Sequence, residues 1–385
     1  MPLAEKFKSL TAGELQPANV ATLEEELSAL WRAAAEDPGT EHPVMRASVL
    51  TLIAIVESEE EGRESADLIS HIIAQNPCRA ILLVAEPREG PEGLKAWISA
   101  QCHLPPSGAR QVCCEQIYVR ARGGAVNGLD NVVLPLIVPE LPVYLWWRAG
   151  RFAPPSFLDQ VLRRTNRVLV DSSRFEEPET DLAILGRLVE RSHATTGMAF
   201  SDLNWARLTP CRELIAQNFD SAEAACCLQD LSEVSFEWQT DSDNRGSHIA
   251  HALLLTAWLA SRLDWQPVTR LAPRAGPNRV VDFRRGDSPV RVVWAVRHKT
   301  SQPSTPFKVT LKTRSDPPAI FSVTESTAEG IAHTRAEIPG RAPFERTTRV
   351  VAMGEVELVN EELKFPERDN IYEEILRLIA QTVQL

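Results

Sequence analysis

The sequence lacks the motifs that mark most catalytic and membrane proteins. It contains no GxxxxGK[ST] loop, no intact GxGxxG fingerprint, and no GxSxG, HExxH or kinase signature. No apolar run approaches the ~20 residues of a membrane-spanning helix, and the N-terminal MPLAEKFKSLTAGEL has no signal-peptide core. Basic charge is scarce, since 41 Lys and Arg residues stand against 52 Asp and Glu, a formal net charge of −11. We therefore expect a cytoplasmic protein that binds neither nucleic acid nor membrane.

Cysteine is also sparse, with seven in the chain. An odd number in a chain of this length is typical of a reducing compartment, where thiols serve as small apolar groups. A bridge within Cys113-Cys114 or Cys226-Cys227 would be strained, so we expect buried, inert thiols. The spacing of Cys102-His103 and Cys113-Cys114 matches no common zinc module.

The most informative stretch is Asn131–Gly150, NVVLPLIVPELPVYLWWRAG. Its second half predicts a strand, Val143–Trp147, that is apolar on both faces and lies inside a doubly covered sheet. Trp146 and Trp147 are adjacent on that strand, so one indole should point to each face. Arg148 follows at the carboxyl end, where open α/β sheets form ligand crevices.

From residue 47 the hydrophobic pattern alternates between strand and helix periods. This alternation predicts βαβ units and a mostly parallel sheet covered by helices. The predicted strands are Val49–Glu57, Cys78–Glu86, Val112–Arg122, Val143–Trp147 and Arg167–Asp171, and the predicted helices are Ser65–Gln75, Pro155–Arg164 and Glu179–Arg191. Leu94–Cys102 fits either a short helix or an edge strand.

Beyond a seam at Ala194–Ser201 the pattern changes. Thr209-Pro210 is predicted to cap and open a helix, and Ser247–Leu263 is apolar around most of its circumference, which is typical of a buried helix. Six short strand patterns then predict an antiparallel meander, followed by a terminal helix over Glu367–Ala380. The predicted fold class is α/β: an N-terminal mostly parallel sheet covered by helices, followed by an α+β domain with an antiparallel meander.

We expect three parts in the chain. Residues 1–44 form an N-terminal helical arm, residues 45–198 an α/β domain, and residues 199–385 an α+β domain with an antiparallel sheet and a terminal helix. The arm contains one amphipathic helix, Thr22–Ala35, which we expect to pack on the body. An exposed helix that binds a partner is the alternative.

A polar motif, DLNWARLTP, spans Asp202–Pro210 beside the seam. One interpretation is an interdomain hydrogen-bond network, and its candidate members are Asp171, Asp202, Arg207, Arg212 and Glu213. The other is a binding hot spot, because Trp and Arg are enriched in hot spots. The two interpretations are equally favoured by the sequence.

Two further patterns suggest small ligands only weakly. Gly123–Gly128 joins a predicted strand to a helix, as a nucleotide loop does, but it lacks the Lys and Ser/Thr that contact phosphate and Mg²⁺. His248 and His251 lie three residues apart on an apolar helix without a third ligand, which favours buried polar positions over a metal site. We expect no catalytic, cofactor-binding or metal-binding residues.

Four segments occur in a specific order along the chain. They are LPLIVPELPVYLWWRAG (Leu134–Gly150), RVLVDSSRF (Arg167–Phe175), SDLNWARLTPCRELIAQNFD (Ser201–Asp220) and LLLTAWLASRLDW (Leu253–Trp265). Together they resemble the family of the glucose-6-phosphate dehydrogenase assembly protein OpcA, over roughly residues 46–265. The Trp-Trp-Arg and Asp-Leu-Asn-Trp-x-Arg-Leu-Thr-Pro motifs make the resemblance specific.

The resemblance implies a non-catalytic protein without a cofactor. Members of this family associate with glucose-6-phosphate dehydrogenase, the entry enzyme of the oxidative pentose phosphate pathway, and promote its oligomeric assembly or its allosteric activation. That enzyme is the expected partner. The matching residues, which we expect in an interaction surface or an interdomain network, are Trp146, Trp147, Arg148, Asp171, Asp202, Trp205, Arg207 and Arg212.

A second hypothesis is an enzyme or sensor for a nucleotide or a sugar phosphate. Its ligand would bind in the crevice near Arg148 and at the Gly123–Gly128 turn. Stabilisation of the isolated protein by such a ligand would favour this hypothesis over the first. The sequence leaves self-association open.

Overall fold

The computed structural model describes residues 15–36, 44–88, 91–103, 111–195, 197–239, 245–271, 278–297, 307–326, 330–364 and 367–383. Two β-sheets with covering helices make up this part of the chain. Residues 1–14 and 37–43 of the predicted arm lie outside the described residues. The division into residues 1–44, 45–198 and 199–385 stays a prediction.

The first sheet is mostly parallel. Its strands are β1 Gln16–Ala18, β2 Val44–Arg46, β3 Leu50–Val56, β4 Cys78–Glu86, β5 Gly93–His103, β6 Gln111–Arg122, β7 Val143–Trp147, β8 Arg167–Val170 and β9 Ala199–Asp202. Six parallel strands form the centre in the order β6-β4-β3-β7-β8-β9. Strands β5 and β1 extend one edge in antiparallel fashion, and β2 pairs in parallel with β6. The predicted mostly parallel sheet is confirmed.

Helices cover both faces of this sheet. They are α1 Leu23–Glu36, α2 Glu59–Gln75, α3 Leu129–Val133, α4 Leu158–Leu162 and α5 Pro178–Thr195. In the arm, Leu23 and Leu27 on α1 are buried, and Glu24 pairs with buried Arg79 on β4. The arm helix therefore packs on the body, as expected.

The two adjacent tryptophans of β7 confirm the predicted burial of this strand on both faces. Trp147 belongs to the larger hydrophobic cluster, with Ile53 and Phe200, whereas Trp146 belongs to the cluster on the opposite face, with Ile69 on α2. Each is at most 3% exposed. One strand of five residues thus anchors both apolar layers of the first sheet.

The second sheet contains the strands of the predicted meander. Its strands are β10 Leu231–Gln239, β11 Gln266–Pro267, β12 Arg279–Arg285, β13 Ser288–Arg297, β14 Phe307–Thr313, β15 Ile320–Ser326, β16 Ile331–Glu337 and β17 Phe344–Arg349. The order is β11-β12-β13-β10-β14-β15-β16-β17. The six predicted strands are present in two antiparallel runs, β12-β13 and β14 to β17. Strand β10 lies between the two runs and pairs in parallel with β13, so the meander is interrupted there.

The second half of the chain contributes helices to both sheets. They are α6 Leu203–Arg207, α7 Thr209–Gln217, α8 Ala222–Cys227, α9 Arg245–Arg262, α10 Glu355–Lys364 and α11 Asn370–Thr382. Helix α9 is buried as predicted: it contacts α5 and α11, and its Thr256 accepts a hydrogen bond from Trp294 of β13. None of the described helices is long and apolar enough to cross a membrane.

The last two helices return to the first sheet. Helix α10 contacts α2, and α11 contacts α5. The terminal helix was expected over Glu367–Ala380 and is observed over Asn370–Thr382, whereas α10 was not predicted at all. Helix α7 starts at Thr209, so Thr209 is inside the first turn and not its cap.

The cysteine expectation was wrong for one pair. Cys102 on β5 and Cys113 on β6 lie directly opposite each other in the antiparallel pair and form a disulfide. The ambiguous segment around Cys102 is therefore a strand. Cys78 and Cys114 are buried free thiols, as expected, and burial raises the pKa of Cys114 to about 11.

We predict that Gly186→Ala destabilises the fold. A Cβ at Gly186 on α5 would clash with the carbonyl oxygen of Leu376 and lie 2.9 Å from the Cβ of Ala380, both on α11. Overpacking of this kind should lower the free energy of unfolding in urea by about 1–3 kcal/mol. The matched control is Gly128→Ala, because nothing lies within 4 Å of a Cβ there and the control should lose no stability. Equal stability of the two variants would contradict the prediction.

Candidate functional site

Three neighbouring parallel strands end in polar residues at one edge of the first sheet. Arg148 follows β7, Asp171 follows β8, and Asp202 is the last residue of β9. If the six parallel strands are renumbered 1 to 6 along the chain, starting with β3 as 1, their order across the sheet is 3-2-1-4-5-6. This is the order found in dinucleotide-binding α/β folds. In such folds the ligand crevice opens where the order reverses, which here is between β3 and β7. Arg148 therefore lies where a ligand would be expected.

The guanidinium of Arg148 is engaged by the protein's own side chains. Its Nε and Nη2 each donate to a carboxylate oxygen of Glu355 on α10, at 3.0 Å, and its Nη1 donates to the hydroxyl of Ser65 on α2. It also lies 4.9 Å from the ring centroid of Trp146. Only 1% of Arg148 is exposed. Side chains from α2 and α10 therefore fill this end of the crevice.

The turn after β3 is acidic where dinucleotide-binding folds have a glycine-rich loop. Residues 57–62 read Glu-Ser-Glu-Glu-Glu-Gly, and the Ser58 side chain caps α2 by accepting the N–H of Glu61. Burial, and then the charges of Glu61 and Glu176, raise the pKa of Glu57. The N-terminus of α2, which would attract a phosphate, already faces carboxylates of the chain.

Asp171 and Arg207 form a two-point ion pair. Arg207 Nη1 and Nη2 donate to the two carboxylate oxygens of Asp171 at 2.7 and 2.8 Å, and Ser173 Oγ donates to the same carboxylate at 2.6 Å. Burial alone would raise the pKa of Asp171, but the hydrogen bonds and charge of Arg207 outweigh it and hold the pKa below its usual value. Asp171 is therefore a permanent anion that fixes Arg207.

Asp202 has a different environment. Its Oδ1 accepts the backbone N–H groups of Ser172 and Asn204, both at 2.9 Å, and its Oδ2 accepts the hydroxyl of Tyr372 on α11 at 3.2 Å. Burial, and then the charge of Asp171, raise the pKa of Asp202 to about 6. This carboxyl therefore ties the end of β9 to the last helix of the chain.

Trp205 connects α6 to α11 and to Arg212. Its Nε1 donates to Asp369 at 2.8 Å, and its ring stacks against Tyr372 with centroids 6.1 Å apart. The guanidinium of Arg212 lies 3.4 Å from the ring centroid of Trp205, and its Nη2 donates to Thr209 Oγ1 at 2.7 Å. Burial lowers the pKa of Arg212 to about 10. Arg212 thus stacks on Trp205 in a cation–π contact.

The structure brings most of the predicted residues together at the carboxyl ends of the parallel strands, and we call this set the strand-end network. Its predicted members are Trp146, Arg148, Asp171, Asp202, Trp205, Arg207 and Arg212. Of the predicted ion pairs, Arg207 with Asp171 is present, whereas Arg212 pairs with neither Asp202 nor Glu213 among the described residues. Trp147 lies on the other face and donates to the carbonyl of Arg151 at 2.9 Å.

Sequence reasoning missed the partners from the end of the chain. Glu355, Asp369 and Tyr372 complete the network, and each is more than 160 positions from its partner. Asp369 caps α11 by accepting the N–H of Tyr372, which is a local signal that the sequence offered. Nothing local marks Glu355 as the acceptor for Arg148.

The weaker candidates form ordinary structure. Gly123–Gly128 is a 3-10 helix between β6 and α3. His248 stacks on Trp238, and His251 packs edge-on against Phe307. Burial, and then the neighbouring charge of His248, lower the pKa of His251 to about 3. In the described part of the chain, no group of three His, Cys, Asp or Glu side chains is placed to hold a metal ion.

We predict that Asp202→Asn makes stability less sensitive to pH. The folded pKa of Asp202, about 6, lies above the unfolded value of about 3.9. The protonated carboxyl of Asp202 therefore stabilises the folded state. This stabilisation is fully present below the unfolded pKa and is lost as pH rises through the folded pKa. Asparagine keeps the acceptor oxygen and does not ionise. The variant's free energy of unfolding in urea, relative to wild type, should rise by about 1 kcal/mol from pH 5 to pH 8.

The matched control is Asp171→Asn. Because the folded pKa of Asp171 is lowered, wild-type Asp171 is ionised throughout that range. This variant should have a lower free energy of unfolding than wild type, by an amount that hardly changes between pH 5 and pH 8. If the free energy of unfolding of Asp202→Asn relative to wild type is also independent of pH, the assigned pKa of Asp202 is contradicted.

Two family models match the chain. The model described as the glucose-6-phosphate dehydrogenase subunit N-terminal domain matches residues 69–187, and the one described as the C-terminal domain of the same subunit matches residues 198–376. The first of these spans contains the strand ends of β7 and β8, and the second contains that of β9 together with α10 and most of α11. The two matches therefore cover the whole strand-end network.

Curated relatives carry the name OpcA, provisionally assigned to the OxPP cycle. A protein of Synechocystis sp. (strain ATCC 27184 / PCC 6803 / Kazusa) is 36% identical over 210 residues, which are 54% of this chain and 41% of that protein. A protein of Synechococcus elongatus (strain ATCC 33912 / PCC 7942 / FACHB-805) is 29% identical over 323 residues, 81% of this chain and 69% of that protein. The match to the Synechocystis protein thus spans about two fifths of its length.

Among solved structures, an NAD-binding oxidoreductase from Klebsiella pneumoniae is similar with a TM-score of 0.43 and 11% identity, covering 87% of this chain and 96% of that chain. Nothing about a cofactor or an activity follows from a likeness at that level.

The sequence matches are much stronger, and the two family models together cover more than half of the residues. The chain belongs to the OpcA family, whose models describe a glucose-6-phosphate dehydrogenase subunit.

Proposed function

We propose that this chain is a non-catalytic, cytoplasmic binding protein that promotes the assembly or the allosteric activation of glucose-6-phosphate dehydrogenase. The identity of the partner is supported by the family match along both halves of the chain. Both family models are described as parts of a glucose-6-phosphate dehydrogenase subunit. The relatives' assignment to the OxPP cycle agrees with a role beside that enzyme.

The filled crevice supports the non-catalytic part of the proposal. At the reversal of the strand order, Glu355 and Ser65 take up the donors of Arg148, and a cluster of glutamates surrounds the start of α2. A dinucleotide entering there would have to displace α10 and place its phosphates against carboxylates. Both steps are unfavourable, because a buried arginine would lose its acceptor and like charges would meet.

The same contacts weigh against the alternative of a nucleotide or sugar-phosphate enzyme or sensor. That hypothesis needs a free guanidinium at Arg148, and the guanidinium is already bound on both of its donor edges. It also needs a phosphate loop at Gly123–Gly128, and this segment is a 3-10 helix without Lys, Ser or Thr. The geometry therefore favours a protein that acts through binding another protein.

We infer that the predicted site residues act mainly inside the chain. Trp146, Trp147 and Arg148 are almost fully buried and cannot contact a partner directly. Arg207 is about 30% exposed at its side chain, and Arg212 is partly exposed, so these two are the members that a partner could reach. The strand-end network then holds the C-terminal helices against the first sheet and fixes the surface that a partner would bind.

Activation by such a protein requires unequal affinity for two states of the enzyme. A chain that binds the active state of the dehydrogenase more tightly shifts the population toward that state. By linkage, a substrate that binds better in the presence of the chain must tighten the binding of the chain by the same factor. The proposed function thus has a reciprocal consequence that a purely structural scaffold lacks.

We predict that mixing this chain with glucose-6-phosphate dehydrogenase forms a complex with altered kinetics. Gel filtration should show a species larger than either protein, and the KM for glucose 6-phosphate should fall or kcat should rise. If KM falls because substrate affinity rises, the dissociation constant of the complex should fall by the same factor in saturating glucose 6-phosphate. No change in elution volume, KM or kcat would contradict the proposed function.

A second prediction separates the two hypotheses. NADP, ATP and glucose 6-phosphate, each tested alone at 1 mM, should leave the Tm of the isolated chain unchanged within about 1 °C, because a ligand stabilises only a folded state that binds it. The dehydrogenase, stabilised by its own substrates in the same plate, is the positive control. A clear rise in the Tm of this chain with one of the three ligands would favour the enzyme or sensor.

A further inference from the structure

The second sheet ends in a strand with an open edge. Strand β17 pairs with β16 on one side, and no strand of the described residues pairs with its other side. The strand and the residues after it are exposed even where they are apolar: Phe344 is 55% exposed, Val351 75% and Met353 43%. A long open edge is a template for an additional strand, which proteins normally prevent unless the edge has a use.

The direction of the backbone groups on β17 is fixed by one hydrogen bond. Val350 N donates to the carbonyl oxygen of Gly330 at 2.9 Å, on the β16 side. Because successive residues of a strand alternate, Arg346 and Thr348 also direct their N–H and C=O groups toward β16. The intervening residues, including Thr347, direct theirs outward at the open edge. These outward groups are available for main-chain pairing.

A cleft of about 380 Å³ lies beside this edge, between the sheet and helices α7 and α8. Thr334 and Ala336 of β16 lie directly opposite Arg346 and Phe344, so all four side chains share the face toward the helices. The cleft is mainly apolar, and its lining includes Asn218, Ser221, Ala224, Thr334, Ala336 and Phe344. Its size suits one or two apolar side chains of an incoming segment.

The charge of the edge is opposite to that of the protein. The chain carries a net charge of −11, yet Arg341, Arg346 and Arg349 lie on β17 and the turn before it. Arg341 is paired with Glu223 at 3.4 Å, and Glu345 is paired with Arg335 at 3.0 Å. Arg346 donates to the side-chain oxygen of Gln217 at 3.0 Å, and neither Arg346 nor Arg349 has an ion pair with any described residue. A segment that carries carboxylates therefore fits this edge.

We propose that β17 is a docking edge for an extended, acidic segment of glucose-6-phosphate dehydrogenase. The segment would add a strand to the second sheet, place an apolar side chain in the cleft beside Phe344, and direct carboxylates toward Arg346 and Arg349. This inference rests on the proposed function for the identity of the partner. It adds to that function the surface and the mode of binding.

The test removes one outward N–H from the edge. In Thr347→Pro the proline has no N–H at the open side, while the inward bonds of the neighbouring residues remain, and edge strands tolerate proline. The matched control is Thr347→Val, which keeps the N–H and the β-branched shape but loses the hydrogen bond between Oγ1 and His333. The dissociation constant of the complex with the dehydrogenase should rise about tenfold for proline and less than about twofold for valine.

A second pair of variants tests the charge and does not depend on the folding of the proline variant. Arg346→Glu should weaken the complex about tenfold or more, whereas Arg346→Lys should retain most of the affinity. Raising the salt from 50 to 500 mM should weaken the wild-type complex more than the Glu variant. Circular dichroism should show the same Tm for both Arg346 variants, because the side chain is exposed.

The outcomes separate this inference from the proposed function. If the wild type binds no dehydrogenase, the proposed function fails, and this inference with it. If the wild type binds and the proline and Glu variants bind equally well, only the docking edge is overturned. If the isolated chain is a dimer that Thr347→Pro dissociates, the occupant of the edge is a second copy, and the inference is overturned as well.

Discussion

A guanidinium that is removed from water must be given acceptors, and this requirement determines how the two ends of the chain meet. Arg148 follows a central strand between two apolar layers, so it cannot reach solvent. Glu355 supplies its acceptors, which places α10 against α2. Helix α11 then packs on α5, where Gly186 leaves room for its backbone. Arg148 thus positions α10, while Asp202 and Trp205 anchor α11.

The carboxyl ends of the parallel strands differ from those of dinucleotide-binding folds in what they face. In dinucleotide-binding folds the carboxyl ends of the strands face a ligand. In this chain Asp171 faces Arg207, Asp202 faces Tyr372, and Arg148 faces Glu355. Each of these three charged side chains is matched by a group of the same chain. The docking edge that we propose lies elsewhere, at β17, where the described part of the second sheet ends.

Local sequence patterns predicted most of the helices and strands, whereas the missed features depend on contacts between residues far apart in the sequence or on strand register. The strand with Trp146 and Trp147 was predicted from a continuous apolar run, and the other strands and helices from periods of 2 and 3.6. Both kinds of pattern are encoded locally. Helix α10 was not predicted, and its anchor, Glu355, is 207 positions from Arg148. The disulfide between Cys102 and Cys113 depends on strand register, which a segment that fits both helix and strand does not reveal.

The distance in sequence between the strand ends and helices α10 and α11 affects biosynthesis. While the nascent chain is on the ribosome, Arg148, Asp202 and Trp205 are synthesised more than 160 positions before their partners. Until then the edge of the first sheet offers unmatched charges and uncovered apolar side chains, which chaperones recognise. A premature stop codon before Glu355 would make that state permanent. Such a product is a substrate for quality-control proteases even though both sheets have been synthesised.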